Sequence, residues 1–209
     1  MAYFGLTGGI ASGKSTVAQM FRELGAEIVN ADEVGHELLR ASSLAYPEVV
    51  CRFGKQVVGT SGEIDRTLLG AIVFADPQAL QDLNAILHPR IIEAVEQRAA
   101  EYVRSNPSEI VLVDAALIFE AGIGARFQKV IVVWCRPEQQ IERLTSKFGL
   151  PREDAERRIG SQMPLDEKTR RADFLIDNSG DLESTRKQVQ EIFSELRRLT
   201  KTPGASREL

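Results

Sequence analysis

The chain is sparing with the features that announce a compartment or a macromolecular partner. Cys51 and Cys135 are the only cysteines in 209 residues. They lack metal-ligand spacing, and both are expected to be reduced, buried thiols of a cytoplasmic protein, although one disulfide between them stays open. A basic excess is missing too. The net charge of −4 gives no electrostatic case for a nucleic-acid partner. No basic stretch followed by a long apolar one opens the chain, so no secretory signal is expected. The apolar runs at 110–119 and 130–135 are too short to span a bilayer, so no membrane partner is expected either. What remains is enough for a full core, since 43% of the residues are hydrophobic. One domain with an inserted lobe fits that content.

The most informative stretch is Gly8-Gly9-Ile10-Ala11-Ser12-Gly13-Lys14-Ser15, after the apolar run Tyr3-Phe4-Gly5-Leu6. It fits G-x-x-x-x-G-K-[ST], a loop whose backbone N–H groups cradle phosphate oxygens. Gly8 and Gly13 allow backbone angles and close approach that a side chain would obstruct. Lys14 reaches the outer phosphates as a point charge, and the Ser15 hydroxyl is a ligand for Mg²⁺. Val17, Met20, Phe21 and Leu24 follow at helical spacing, so the helix start adds its unpaired N–H groups and positive dipole end.

Buried-strand runs are expected at 3–6, 27–30, 110–114, 129–135 and 173–176. Helices are expected at 14–24, 89–104, 137–148, 152–162 and 182–199. This alternation predicts a doubly wound parallel five-stranded α/β sheet, with ligands beyond the carboxyl ends of the strands. Two segments break the rhythm. A helical lobe is expected at about 32–88; the stretch includes the turn-rich Gly59-Thr60-Ser61-Gly62 and no convincing core strand. The charge-dense segment 143–171 reads either as a lid over the nucleotide or as a solvated surface hairpin. The tail 202–209 reads as disordered.

Three constellations bear on chemistry. Asp32 follows the second strand and is placed either to orient and deprotonate an attacking hydroxyl or to cap a helix, and spacing leaves these even. Asp114 ends an apolar strand, a pattern that lets a carboxylate hold Mg²⁺ or its bound water. Arg143 and Lys147 share one helix face, for neutralising a transferred phosphoryl group or for pairing with neighbouring glutamates. Glu120 leans toward a surface acid. His36 and His88 read as structural, since phosphoryl transfer does not require an imidazole.

Together the residues resemble the dephospho-coenzyme A kinase family over nearly the whole chain. The matching stretches run from Leu6-Thr7-Gly8-Gly9-Ile10 and Lys14-Ser15-Thr16 through Ala31-Asp32 and Gly62-Glu63-Ile64-Asp65-Arg66. They continue with Leu87-His88-Pro89, Leu117-Ile118-Phe119-Glu120, Arg158-Ile159-Gly160-Ser161-Gln162-Met163-Pro164 and Ala172-Asp173-Phe174-Leu175-Ile176-Asp177-Asn178. The resemblance implies transfer of the ATP γ-phosphoryl group to the ribose 3′-hydroxyl of dephospho-coenzyme A. It implies Asp32 as the base, residues 11–16 (Ala11, Ser12, Gly13, Lys14, Ser15, Thr16) as the ATP phosphate loop, Arg143 in the lid, and Asn178 near the adenine. A nucleotide-binding core, a helical lobe for the acyl-carrier arm and a lid are implied with them; a monomer or weak homo-oligomer is expected.

Four positions depart from the family pattern. Ala11 stands where a third loop glycine is usual and is expected to keep a negative φ. Lys147-Phe148 stands for Arg-Asp, Ala116 for proline, and Ser42-Ser43 for Pro-Gly. A kinase for another small hydroxylated substrate is the nearest rival. A GTPase-like switch is a weaker one, because the guanine-reading N-K-x-D string is absent from the sequence.

Overall fold

A computed structural model describes residues 3–106 and 109–201; the tail at 202–209 lies outside them. Five strands, β1 (Phe4–Gly8), β2 (Glu27–Asn30), β3 (Val111–Asp114), β4 (Val130–Trp134) and β5 (Phe174–Asp177), form one sheet in the order β2-β3-β1-β4-β5. β1 runs parallel to β3 and β4, and β4 runs parallel to β5. Every residue of β1 and β3 is buried, as a sheet covered on both faces requires. The chain turns from one side of β1 to the other, so the carboxyl end of β1 is the topological switch point. The expected doubly wound architecture is therefore present.

In chain order the helices are α1 (Lys14–Glu23), α2 (Ala31–Glu37), α3 (Tyr46–Phe53), α4 (Arg66–Ala75), α5 (Pro77–Ser105), α6 (Pro137–Phe148), α7 (Arg152–Gly160), α8 (Leu165–Arg170) and α9 (Leu182–Lys201). Among the described residues no helix is long and apolar enough to cross a membrane. The chain divides into two compact units, one made of the segments before Asn30 and after Arg98, the other of Asn30–Arg98.

In the first unit, Val17 and Phe21 of α1 and Val189, Phe193 and Leu196 of α9 join the strand side chains in one core. A Schellman turn ends α1: Ala26 N–H donates to Phe21 O at 3.0 Å and Gly25 N–H to Arg22 O at 3.0 Å. The second unit is helical and has its own core, with Val49, Val57, Leu69, Val73 and Leu83 at its centre. Its turn-rich piece forms only an isolated bridge between Val58 and Ile64.

Two expectations are corrected. A helix was expected to start at Pro89, yet α5 passes through it without a break. An internal proline costs about 3 kcal/mol. Burial of Leu83, Leu87 and Val95 on the same helix, at about 1.5–3 kcal/mol each, outweighs that cost. Arg90 also supports the turn, donating through Nη1 to Ile86 O at 2.6 Å. The second correction concerns the thiols. Both are free, but only Cys135 is buried, whereas Cys51 is exposed on α3 because Val49 and Phe53 take that helix's inward face.

Phe21 is fully buried at the centre of the first core. Phe21→Ala is expected to lower unfolding stability by about 3–5 kcal/mol, measured by urea denaturation, and a loss below about 1 kcal/mol would contradict this placement.

Candidate active site

The loop between β1 and α1 is shaped by close approach. A Cβ on Gly8 would lie 2.6 Å from Ser12 Oγ and 2.8 Å from Val133 O. One on Gly13, at φ +95°, would lie 2.0 Å from Asn178 Nδ2. No side chain fits at either position.

The loop's carbonyls are tied to donors around it. Gln140 Nε2 donates to Ile10 O at 2.6 Å. Arg143 Nη1 donates to Ala11 O and Ser12 O, each at 3.1 Å. Asn178 Nδ2 donates to Ser12 O at 2.8 Å, and Ser12 N–H to Gly9 O at 3.1 Å. Among the described residues, the N–H groups of Ala11, Gly13, Lys14 and Ser15 meet no protein acceptor. Ser12 Oγ is buried without a partner. Free amides at a helix start, beside an orphaned hydroxyl and a cradle that only glycine allows, fit a nucleotide's phosphates.

Ala11 departs from expectation. Its φ is +58°, in the left-handed region, and it is the one non-glycine at positive φ among the described residues. Such a conformation costs about 1–3 kcal/mol and persists only where its surroundings enforce it. Here the preceding residue, Ile10, is gripped at both main-chain groups, by Gln140 at its carbonyl and by Gln162 Oε1, which accepts its N–H at 2.8 Å.

Lys14 and Asp114 form a direct ion pair between Lys14 Nζ and Asp114 Oδ1. Asp114, at the end of β3, is only 4% exposed. Ser15 and Thr16, in the first turn of α1, are exposed. Among the described residues no three His, Cys, Asp or Glu side chains are grouped as for an all-protein metal cage. The available donors are hard oxygens, the Ser15 hydroxyl and the Asp114 carboxylate. They suit Mg²⁺, which keeps waters and takes the rest of its ligands from phosphate.

Arg143 lies within α6, and its partners are main-chain carbonyls rather than glutamates, including Asn178 O at 3.0 Å from Nη2. Lys147, at the end of the same helix, lies over the Phe148 ring at 5.8 Å. Both ends of the Asn178 amide are engaged, Nδ2 by the loop and Oδ1 by the Thr185 hydroxyl at 3.1 Å. Burial raises the pKa of the neighbouring Cys135 thiol and keeps it protonated.

Asp32 belongs to the helical unit. Asn30 caps α2, its Oδ1 accepting from Asp32 N–H at 2.9 Å and Glu33 N–H at 3.3 Å. The cap alternative for Asp32 is thereby removed, because another residue fills that post. Asp32 is exposed, and its carboxylate has no protein partner among the described residues. His36 is exposed on the same helix, whereas burial lowers the pKa of His88.

Sequence reasoning missed Gln140, Gln162 and Lys168. Gln140 carried a signal: it stands one turn before buried Leu144 on the inward face of α6, where a polar side chain needs a partner. Glu120, read as leaning toward a surface acid, is exposed and also pairs with Lys168 at 2.8 Å.

A family model described as dephospho-CoA kinase matches residues 2–184. A dephospho-CoA kinase of Syntrophotalea carbinolica is 43% identical over 196 residues, spanning 94% of this chain and 92% of that protein. One from Geobacillus kaustophilus is 44% identical over 191 residues, spanning 91% and 94%. Among solved structures, TT1252 from Thermus thermophilus superimposes with a TM-score of 0.76 at 32% identity, covering 93% of this chain and 97% of that one. Dephospho-CoA kinase from Campylobacter jejuni gives 0.72 at 29% identity, covering 94% and 97%.

The Gly13 geometry makes a direct demand. Gly13→Ala is expected to weaken nucleoside triphosphate binding more than about tenfold in a calorimetric titration, and unchanged affinity would show that the loop is not the binding site.

Proposed function

The chain belongs to the dephospho-CoA kinase family, and from that premise we infer that it transfers the γ-phosphoryl group of ATP to the ribose 3′-hydroxyl of dephospho-coenzyme A, completing coenzyme A. The observation that carries the ATP half is the loop with its carbonyls tied back and its amides free. The family carries the acceptor.

The residues divide the work. The amides of Ala11, Gly13, Lys14 and Ser15, at the close-packed turns of Gly8 and Gly9, bind the phosphate oxygens. Lys14 exchanges Asp114 for the β- and γ-phosphates, whose charge competes with that of one carboxylate. Ser15, with Asp114 behind it, would hold Mg²⁺, which when bound neutralises charge on the bridging phosphate oxygens. Thr16 continues the first turn of α1 beside them. Arg143 keeps the loop carbonyls turned back and adds a fixed positive charge next to the transferred group. Asn178 acts on the nucleotide through the loop it supports. Asp32, freed from capping by Asn30, orients the acceptor hydroxyl and takes its proton.

We assign acceptor binding to the helical unit Asn30–Arg98, within which the lobe at about 32–88 was expected. We assign the lid to the segment around α7, within 143–171. Closure there excludes water that would otherwise accept the phosphoryl group. The protein is taken to work in the cytoplasm, as a monomer or weak homo-oligomer, without nucleic-acid or membrane partners.

Incubation with ATP, Mg²⁺ and dephospho-coenzyme A is expected to yield a product one phosphate heavier, phosphorylated at the ribose 3′ position. Preferential phosphorylation of nucleosides under the same conditions would overturn the acceptor. Asp32→Asn is expected to lower kcat by about 10²–10⁴-fold while the Kd for ATP moves by less than about twofold. Undiminished turnover would remove Asp32 from the base role.

A further inference from the structure

Lys168 on α8 is a charged side chain with no solvent exposure. Its ammonium is satisfied by Ala116 O at 2.7 Å, Glu120 Oε1 at 2.8 Å and Gly8 O at 3.5 Å. Glu120 Oε1 also accepts the Met163 N–H at 3.0 Å, and Ala116 O also accepts the Thr7 hydroxyl at 3.1 Å. One buried cation thus joins the end of β1, the turn after β3 and the chain that leaves α7. A second tie lies close by in sequence: Gln162 Oε1 holds the Ile10 N–H at 2.8 Å. A third anchors the same segment to the sheet, from Trp134 Nε1 to Asp166 Oδ1 at 2.9 Å.

Packing alone does not account for an ion pair at this place. An apolar side chain of similar volume serves stability as well as a buried pair does or better. What the ammonium supplies is direction, through bonds aimed at main-chain carbonyls. It draws on the Gly8 carbonyl, at the first residue of the phosphate loop. Gln162 acts at Ile10, the residue before the strained Ala11. Its acceptor occupies an N–H that would otherwise be free to turn, and Ala11 is held at φ +58° beside it.

We propose that Lys168 and Gln162 are positioning residues for ATP, and that through them the phosphate loop is formed for binding only while the segment between α7 and α8 is docked. This rests on ATP being the ligand of the loop. Because coupling between two equilibria is reciprocal, nucleotide binding in turn holds that segment down. Neither side chain touches the nucleotide in this scheme; both act through main-chain groups of Gly8 and Ile10.

The test compares Lys168→Met and Gln162→Leu with the parent protein. ATP affinity is measured by calorimetry without acceptor, and KM for dephospho-coenzyme A by a coupled assay at saturating ATP. Both variants are expected to bind ATP at least about tenfold more weakly, with KM for the acceptor within about twofold of the parent. A side chain with a merely structural role would lower the melting temperature and leave that split absent. If Lys168→Met does not fold, Gln162→Leu decides alone, since it removes one hydrogen bond from a half-buried side chain. ATP affinity in Gln162→Leu within about twofold of the parent, or a parallel loss for ATP and acceptor, would overturn the proposal. A parent protein that bound no ATP would remove the kinase reading and this proposal with it, a result distinct from any variant's.

Discussion

Five consecutive carbonyls, from Gly8 to Ser12, have their acceptor capacity taken by Lys168, the Ser12 amide, Gln140, Arg143 and Asn178. A peptide that points its oxygen one way points its N–H the other. Engaging the oxygens of Ile10 and Ser12 therefore turns the amides of Ala11 and Gly13 the other way, and these with the amides of Lys14 and Ser15 stay free, the arrangement an anion site needs. The side-chain donors come from α6, from the end of β5 and from α8. The site is thus a property of the whole first unit rather than of the loop alone.

The constraint also explains the strain. A non-glycine at positive φ persists where neighbours over-determine it, and the preceding residue, Ile10, is held at its N–H by Gln162 and at its carbonyl by Gln140. The Lys14–Asp114 pair follows the same economy. A largely buried carboxylate needs a cation, and Lys14 supplies it. In the helical unit the corresponding device is smaller. Asn30 satisfies the first amides of α2, which leaves Asp32 on the helix with its carboxylate uncommitted.

Most of the architecture was legible in the amino-acid sequence, and the reasons are local. Apolar runs buried on both faces announce parallel strands, and the turn from β1 into α1 carries its own glycines. The failures were also physical. Pro89 ends a helix in isolation, but burial along α5 carries the helix through it. Asp32 and Asn30 are both good caps by residue type, and only the hydrogen bonds tell them apart. Lys168 sits in a run of charged residues that looks solvated, and nothing in its neighbours along the chain indicates complete burial.

By itself the sequence determined the five strands, the helices flanking them and the family, and it pointed to the loop between β1 and α1, because each depends on residue type at short spacing. Tertiary structure decided which side chains hold that loop in shape. The contacts from Gln140, Arg143, Gln162, Lys168 and Asn178 span more than a hundred residues of chain. Partners that far apart are chosen by how the sheet and its helices pack, and no local pattern encodes that.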